Sequence, residues 1–424
     1  MRFPKFERDA ADVVRRFTRC GAIPLCQNRI IRMKILHAIQ SVDRTGGGPI
    51  EGLVQLSQAT SSRIEHEVVS IDSPGAACIR DFPLPLTAVG PAGILGYSPR
   101  LTPWVRAHRG DYDAVVIHGL WRHISVGTWR GLRGGPVPYL AFPHGMLDPW
   151  FKHTYPAKHI AKLMFWHWTE YPMLRDARAV IFTCEDERLR ARESFNRYRC
   201  NEEIATLGIQ APPGEVEEQR QVFFNHFPAL EGKRLLLFLS RINPKKGCDL
   251  LIEAFARAAA RDARLHLVMA GPDASNWGHE LRQAAQALGI AQRITWPGML
   301  SGDLKWGAFR AAEAFILPSH QENFGIVVAE ALACGLPVLI SNQVQIWREV
   351  NSARAGFVAP DDLEGTFSLI NRWLDCTPDQ WLTLRRHALR CYREKFQASA
   401  YARRFEQIVD QYCTSRWPVE PVPA

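Results

Sequence analysis

Short apolar runs alternating with helical patterns constrain this chain more than any other feature. Met33-Lys-Ile-Leu-His-Ala-Ile39, Ala114-Val-Val-Ile-His118, Ala179-Val-Ile-Phe-Thr183, His266-Leu-Val-Met-Ala270, Ala314-Phe-Ile-Leu317 and Val338-Leu-Ile-Ser341 are the clearest of them. Runs of this length without polar alternation suit strands covered on both faces, which occur in parallel sheets joined by helical crossovers. The pattern predicts an α/β, doubly wound fold. The chain's 424 residues exceed what one domain usually holds, and 46% hydrophobic content can bury a sizeable core. The segment from Arg197 to Pro213 reads as a crossing between two domains. The expected division is therefore an extension at 1–32, a first domain at 33–207, a second at 208–395, and a helix and tail at 396–424. In that helix Phe396, Tyr401, Phe405, Val409 and Tyr412 recur near helical spacing.

Candidate chemistry concentrates between Ser319 and Val338, where Glu322 and Glu330 stand eight residues apart. A helix from Phe324 to Cys334 puts Glu322 just before the first turn and Glu330 two turns on, near one face. Acids so placed can each hold a pair of hydroxyls. The leading amides of Phe324, Gly325 and Ile326, with the helix dipole, form a phosphate seat. The competing reading is a buried helix with one solvated or paired acid.

Upstream, Leu235 to Leu239 reads as a buried strand, Asn243-Pro244 breaks it and Gly247 opens an amphipathic helix. Arg241 and Lys246 then project from the strand's carboxyl end, where α/β sheets bind ligands. Two cations there suit a diphosphate, and Lys245 reads as a bystander. In the first domain, Gly46-Gly47-Gly48-Pro49 follows the first strand but does not fit the dinucleotide pattern. Tyr139 to Phe142 ends in Pro143-His144-Gly145, which aims an imidazole at a cleft. Asp148 either orients His144 or touches an acceptor. His118 ends another strand and reads as a core histidine as readily as a cleft residue. Asp111-Tyr112-Asp113 mimics a metal-binding Asp-x-Asp but directly precedes a strand, so it reads as incidental. Ten cysteines without C-x2-C or ligand-like His spacing predict reduced thiols and no structural zinc.

Together, Glu322-Asn-Phe-Gly with Glu330-Ala-Leu-Ala-Cys-Gly-Leu-Pro-Val338, the Arg241-x4-Lys246-Gly247 string and Pro143-His144-Gly145-Met-Leu-Asp-Pro-Trp150 resemble the retaining glycosyltransferases of family 4, exopolysaccharide-biosynthesis type. The resemblance runs from about Met33 to Tyr412. It implies a GT-B fold of two Rossmann-like domains facing a cleft, with a C-terminal helix crossing back onto the first. It further implies hexose transfer from a nucleoside-diphosphate sugar to a saccharide, such as a lipid-linked exopolysaccharide or lipopolysaccharide precursor, with no metal or other cofactor. Arg241, Lys246 and the helix amides would stabilise the departing diphosphate. By the same resemblance Glu322 holds donor-sugar hydroxyls, Glu330 the ribose and His144 a sugar hydroxyl, while Gly47 and Gly48 face the diphosphate. One departure is Thr206-Leu-Gly208-Ile-Gln, where relatives often carry Pro-Asn-Gly. Two other readings are a GT-B sugar-nucleotide epimerase and a non-catalytic donor-binding subunit of a polysaccharide assembly.

Residues 1–32 carry eight Arg/Lys against Glu7, Asp9 and Asp12, and the whole chain +9. Phe6, Ala10, Val13 and Phe17 recur at helical spacing, which fits a basic helix on anionic lipid. An upstream extension with no folded role is the preferred reading. From Trp150 to Trp168 aromatic and basic residues interleave, which suits either a headgroup interface or packing onto the sheet. The longest apolar stretch, Ile326 to Ile340, carries Glu330, Gly335 and Pro337 and is unfit to span a bilayer. The first residues lack a secretory signal's core. The expectation is a cytoplasmic protein, peripheral on the inner face of the plasma membrane, with no nucleic-acid partner.

Overall fold

The computed structural model describes residues 32–43, 47–93, 96–273 and 276–413. The basic extension up to residue 31, Gly46 and the tail beyond Cys413 lie outside them. Two parallel sheets build the fold. The first contains β1 (Met33–Ile39), β2 (Ile64–Ser70), β3 (Leu86–Ala88), β4 (Ala114–His118), β5 (Tyr139–Phe142), β6 (Ala179–Phe182) and β7 (Glu202–Ile204). Their order is β3-β2-β1-β4-β5-β6-β7. The second contains β8 (Arg234–Leu239), β9 (Leu265–Ala270), β10 (Ile294–Gly298), β11 (Ala314–Leu317), β12 (Val338–Ser341) and β13 (Gly356–Ala359), in the order β10-β9-β8-β11-β12-β13. All six expected runs are strands, with two ends moved by one residue. Strands β4, β5 and β6 are buried along their whole length, as strands covered on both faces must be. Each sheet reverses direction once, between β1 and β4 and between β8 and β11. At such switch points the carboxyl ends of the strands open a crevice.

The chain passes between the domains twice, side by side. Ile209 forms an isolated parallel bridge with Gln397; its amide donates to the Phe396 carbonyl (2.9 Å) and its carbonyl accepts from Ala398 (2.9 Å). One hydrophobic cluster runs from Ile35, Val116 and Leu140 of the first sheet through Leu207 and Ile209 to Leu236 and Phe315 of the second. The C-terminal helix, Ala398–Cys413, starts two residues after the expected Phe396. Phe396 instead ends the helix Pro378–Lys395 and sets its ring edge-on to Phe324, 5.6 Å between centroids. The helix returns to the first sheet as expected. Phe405 is fully buried there, Arg404 pairs with Glu203 of β7, and the Tyr412 hydroxyl donates to the same carboxylate (2.8 Å).

Gly208 is the tightest point of the crossing, because a Cβ there would lie 2.4 Å from the Gln397 carbonyl oxygen. Gly208→Ala is expected to cost about 1–3 kcal/mol, as overpacking does. A lowered thermal midpoint checks this, with Gly75→Ala, whose added Cβ meets nothing within 4 Å, as the unaffected control.

Candidate active site

The second domain supplies the cations. Past β8, the Asn243 side chain accepts from the Lys245 amide (3.0 Å) and folds Pro244–Lys246 into one 3-10 turn. Gly247 closes the turn at φ +65°, and a Cβ on it would lie 2.2 Å from the Pro318 carbonyl oxygen, so only glycine fits. This drives the Lys246 side chain inward, where it is buried and its ammonium pairs with Glu322. Arg241 is exposed at the same strand end. Lys245, expected to stand aside, reaches the first domain instead. Its ammonium lies 5.4 Å from the Trp150 ring and 5.3 Å from that of Phe151, and burial, with Lys246 beside it, lowers its pKa to about 8.

The helix expected from Phe324 begins at Ile326 and runs to Ala333. Gly325 precedes it in the left-handed region (φ +77°), and Phe324 turns into the core against Phe396. The open amides expected from Phe324 onward therefore begin at Gly325, and the Phe324 side chain is structural. No side chain caps this helix, so its leading amides are open to an anion. Facing it, Gly47 (φ +92°) starts the helix Gly48–Ala59, likewise without a side-chain cap. A Cβ at Gly48 would stand 3.7 Å from Ile326 Cδ1, so two positive helix ends oppose each other across a narrow gap.

The two carboxylates take separate partners. Glu322 is fixed by backbone bonds on both sides, its amide to the Gln343 carbonyl (3.1 Å) and its carbonyl from the Gln345 amide (3.0 Å). Glu330 is buried and accepts from Lys305 Nζ at 2.6 Å. Burial raises its pKa, Lys305 opposes the rise, and Glu51 of the facing helix adds to it. Lys305 comes from the helix Gly302–Ala311, and no sequence signal marked it.

In the first domain, β5 ends in a left-handed pair, His144 at φ +52° and Gly145 at φ +74°. Such values in a non-glycine residue persist only where the surroundings hold them. Here the Gly145 amide donates to Glu187 Oε1 (2.6 Å), and a Cβ at Gly145 would lie 2.6 Å from Asn323. The His144 turn thus packs on the residue next to Glu322. Burial lowers the His144 pKa to about 4, which leaves the ring neutral at pH 7. His144 Nε2 lies 2.9 Å from Nδ1 of His118, which is buried. Asp148 bonds elsewhere: it accepts from the Trp150 amide (2.8 Å) and, across the cleft, from Gln321 (3.1 Å) and Gln345 (2.5 Å). Asp113 accepts from the Lys34 amide (2.7 Å) at the amino edge of the sheet, away from the cleft.

A cavity of about 170 Å³ adjoins Arg241 at the ends of β8 to β10, lined by Ile242, Met269, Gly271, Asp273, Trp296 and Met299. A wider hollow of about 1890 Å³ lies at the opposite edge of the first sheet, by Tyr139, Arg178 and Glu202, and shares no residue with these groups.

Residues 47–204 match the model of a Glycosyl transferase 4-like domain, and residues 219–387 that of Glycosyl transferases group 1. Among curated proteins, mannosylfructose-phosphate synthase of Agrobacterium fabrum is 28% identical over 289 residues, 60% of each chain. D-inositol 3-phosphate glycosyltransferase of Rhodococcus opacus is 35% identical over 129 residues, 29% of each. The match thus spans less than two thirds of the length of either relative. Among solved structures, Anabaena Alr3699/HepE in complex with UDP and glucose superposes with a TM-score of 0.71 at 18% identity, over 90% of this chain and 100% of that one. WaaG, a glycosyltransferase involved in lipopolysaccharide biosynthesis, gives 0.63 at 16%, over 90% and 100%. At these identities the structural likeness speaks for the fold.

Two outcomes follow from the geometry. Removing one partner of the Lys246–Glu322 pair strands a largely buried charge, so Glu322→Leu is expected to cost about 3 kcal/mol, while Lys246→Met with Glu322→Leu regains most of it. Denaturant unfolding of the two single variants and the double variant checks this. Unfolded histidines take up protons near pH 6.5, whereas His66 and His144 do so only at about 4, and His37 and His118 are likewise held well below the ordinary value, all through burial. The unfolded chain therefore binds more protons, and stability present above pH 6.5 is lost as the pH falls toward 4. The slope is up to roughly 1.4 kcal/mol per pH unit for each histidine. Thermal midpoints across that range should drop, and less steeply in His66→Asn.

Proposed function

We propose that this chain, whose residues 47–204 match a Glycosyl transferase 4-like domain and residues 219–387 Glycosyl transferases group 1, is a glycosyltransferase of GT-B type that moves a hexose from a nucleoside-diphosphate sugar to a saccharide acceptor with retention at the anomeric carbon. One observation carries the reading: two uncapped helix ends, at Gly47-Gly48 and Gly325-Ile326, face each other beside the strand-end cations Arg241 and Lys246. Amides and cations on one space suit a diphosphate. The donor's diphosphate takes the Lys246 ammonium, which frees Glu322 to accept from sugar hydroxyls. Glu330, held by Lys305, accepts from the ribose, and the 170 Å³ cavity beside Arg241 takes the base. His144 contacts a sugar hydroxyl from the opposite wall. As the glycosidic bond breaks, charge grows on the leaving diphosphate, and Arg241, Lys246 and the amides are the groups that stabilise it. That is the charge a metal ion neutralises in other transferases, and the reaction therefore needs none. Attack from the face of the departing phosphate yields retention without a protein nucleophile. The Anabaena structure, solved with UDP and glucose, supports a donor of this class.

A lipid-borne acceptor, as in exopolysaccharide or lipopolysaccharide assembly, is favoured by the surface around the helix Pro156–Phe165. Ile160, Met164, Phe165 and Trp168 are 67%, 69%, 55% and 81% exposed, with Lys152 and Lys158 exposed among them. Trp166, in contrast, is fully buried within a π-helical turn, and Trp150 and Phe151 pack on each other, so the aromatic belt divides between core and surface. An exposed apolar patch rimmed by lysines suits the inner membrane surface. Among the described residues no helix is long and apolar enough to cross a membrane. A sugar-nucleotide epimerase is the competing reading, and it alone would form product without an acceptor.

Thermal unfolding with EDTA present, across UDP, GDP, ADP and their sugar conjugates, is expected to show one nucleotide class stabilising by roughly 2.7 kcal/mol at 100 times its Kd. The shift should vanish in Lys246→Ala, and Glu322→Ala should lose roughly 100-fold in transfer; full activity in Glu322→Ala would sink the assignment. For the surface, Phe165→Ser with Trp168→Ser is expected to abolish co-sedimentation with anionic vesicles at unchanged thermal midpoint.

A further inference from the structure

Four histidines form a continuous hydrogen-bonded row across the first sheet. His66 lies on β2, His37 on β1, His118 at the end of β4 and His144 just beyond β5, and these four strands are neighbours. His66 Nδ1 is 2.9 Å from His37 Nε2, His37 Nδ1 is 3.0 Å from His118 Nε2, and His118 Nδ1 is 2.9 Å from His144 Nε2. Aromatic rings wall the row in. Phe405 of the returning helix sits 6.3 Å from both His37 and His66, and Phe142 lies nearly parallel to His118 and His144 at 5.5 and 5.4 Å. The ends differ. His66 Nε2 is buried with no partner, whereas His144 is partly exposed and uses only Nε2 within the row.

Burial keeps all four rings neutral at pH 7. A neutral imidazole has one N–H and one lone pair, so the direction of any one bond dictates that of the others. Two arrangements exist, every ring Nε2–H or every ring Nδ1–H. The first uses the tautomer that a neutral histidine side chain intrinsically favours. It also turns the terminal N–H of His66 outward, in the field of Glu406, the one charge acting appreciably on that ring. The second leaves the bare lone pair of His66 in that negative field.

We propose that this row fixes His144 as its Nε2–H tautomer and thereby presents a bare Nδ1 acceptor to a donor-sugar hydroxyl, with His118, His37 and His66 as positioning residues. The idea rests on the reading of His144 as a donor contact. Its consequence is action at a distance. His66→Leu removes the acceptor for His37 Nε2–H, and the row relieves that unpaired donor by reversing, which puts a proton on His144 Nδ1. His66→Asn retains an oxygen where Nδ1 was and keeps the original direction.

The test is long-range ¹⁵N–¹H correlation on the full chain with ¹⁵N-labelled histidine, His144 being assigned through His144→Gln. In the wild type a pyridine-like Nδ1 and a pyrrole-like Nε2 are expected for His144. In His66→Leu the two signatures exchange, and in His66→Asn they do not. Donor affinity is then measured with whichever of UDP-glucose, GDP-mannose and ADP-glucose raises the unfolding midpoint. It should fall about tenfold in His66→Leu, the weight of one misdirected hydrogen bond, and recover in His66→Asn. A wild-type His144 protonated on Nδ1 overturns the proposal, and this needs no His66 variant to fold. So does an unchanged His144 signature in a folded His66→Leu. If the signatures exchange yet His144→Ala binds donor normally, the row stands and His144 leaves the donor site.

Discussion

An all-parallel sheet sends every strand out at the same edge, and the rest of this molecule depends on that constraint. Gly47 follows β1, His144 follows β5, Arg241 and Lys246 follow β8, and Glu322 follows β11. The crossovers need helices that start at that edge, so their N-terminal amides and dipoles arrive there without further design. Two such edges, turned toward each other, concentrate donors on the space between. Carboxylates are then needed to balance the cations and to recognise hydroxyls. Glu322 and Glu330 serve the first purpose, on Lys246 and Lys305 respectively.

The seam between the domains is polar where the cleft begins and apolar behind it. Asp148 takes both Gln321 and Gln345, Arg190 reaches Gln343, and Arg348 pairs with Asp186. Behind them Leu207, Ile209 and Phe396 belong to one hydrophobic cluster. Polar contacts exchange with water at small net cost, whereas apolar contacts do not. The paired crossings at Ile209 and Gln397 lie on the apolar side of this seam.

What could be read in the sequence was what local chemistry imposes. The strand runs were legible because burial on both faces leaves no polar alternation, and the Lys246-Gly247 turn because glycine there is obligatory. What escaped was what distant residues decide. The helix expected at Phe324 starts at Ile326 because Phe324 is drawn to Phe396 and Gly325 turns left-handed to allow it. Lys245 is held by Trp150 and Phe151 of the other domain. The histidine row joins residues 29, 81 and 26 positions apart, so the sequence pointed to His144 and His118 at strand ends but gave no sign that His37 and His66 connect to them.

On the function proposed above, the Lys246–Glu322 pair has a consequence for selectivity. Each group is the other's counter-ion, so a visitor that brings only negative charge releases the carboxylate without a partner of its own. Free phosphate is in that position. A visitor with hydroxyls alone strands the ammonium instead. Only a molecule carrying an anion and a polyol at the right separation settles both, so the closed pair acts as a two-key lock against the abundant ions of a cell.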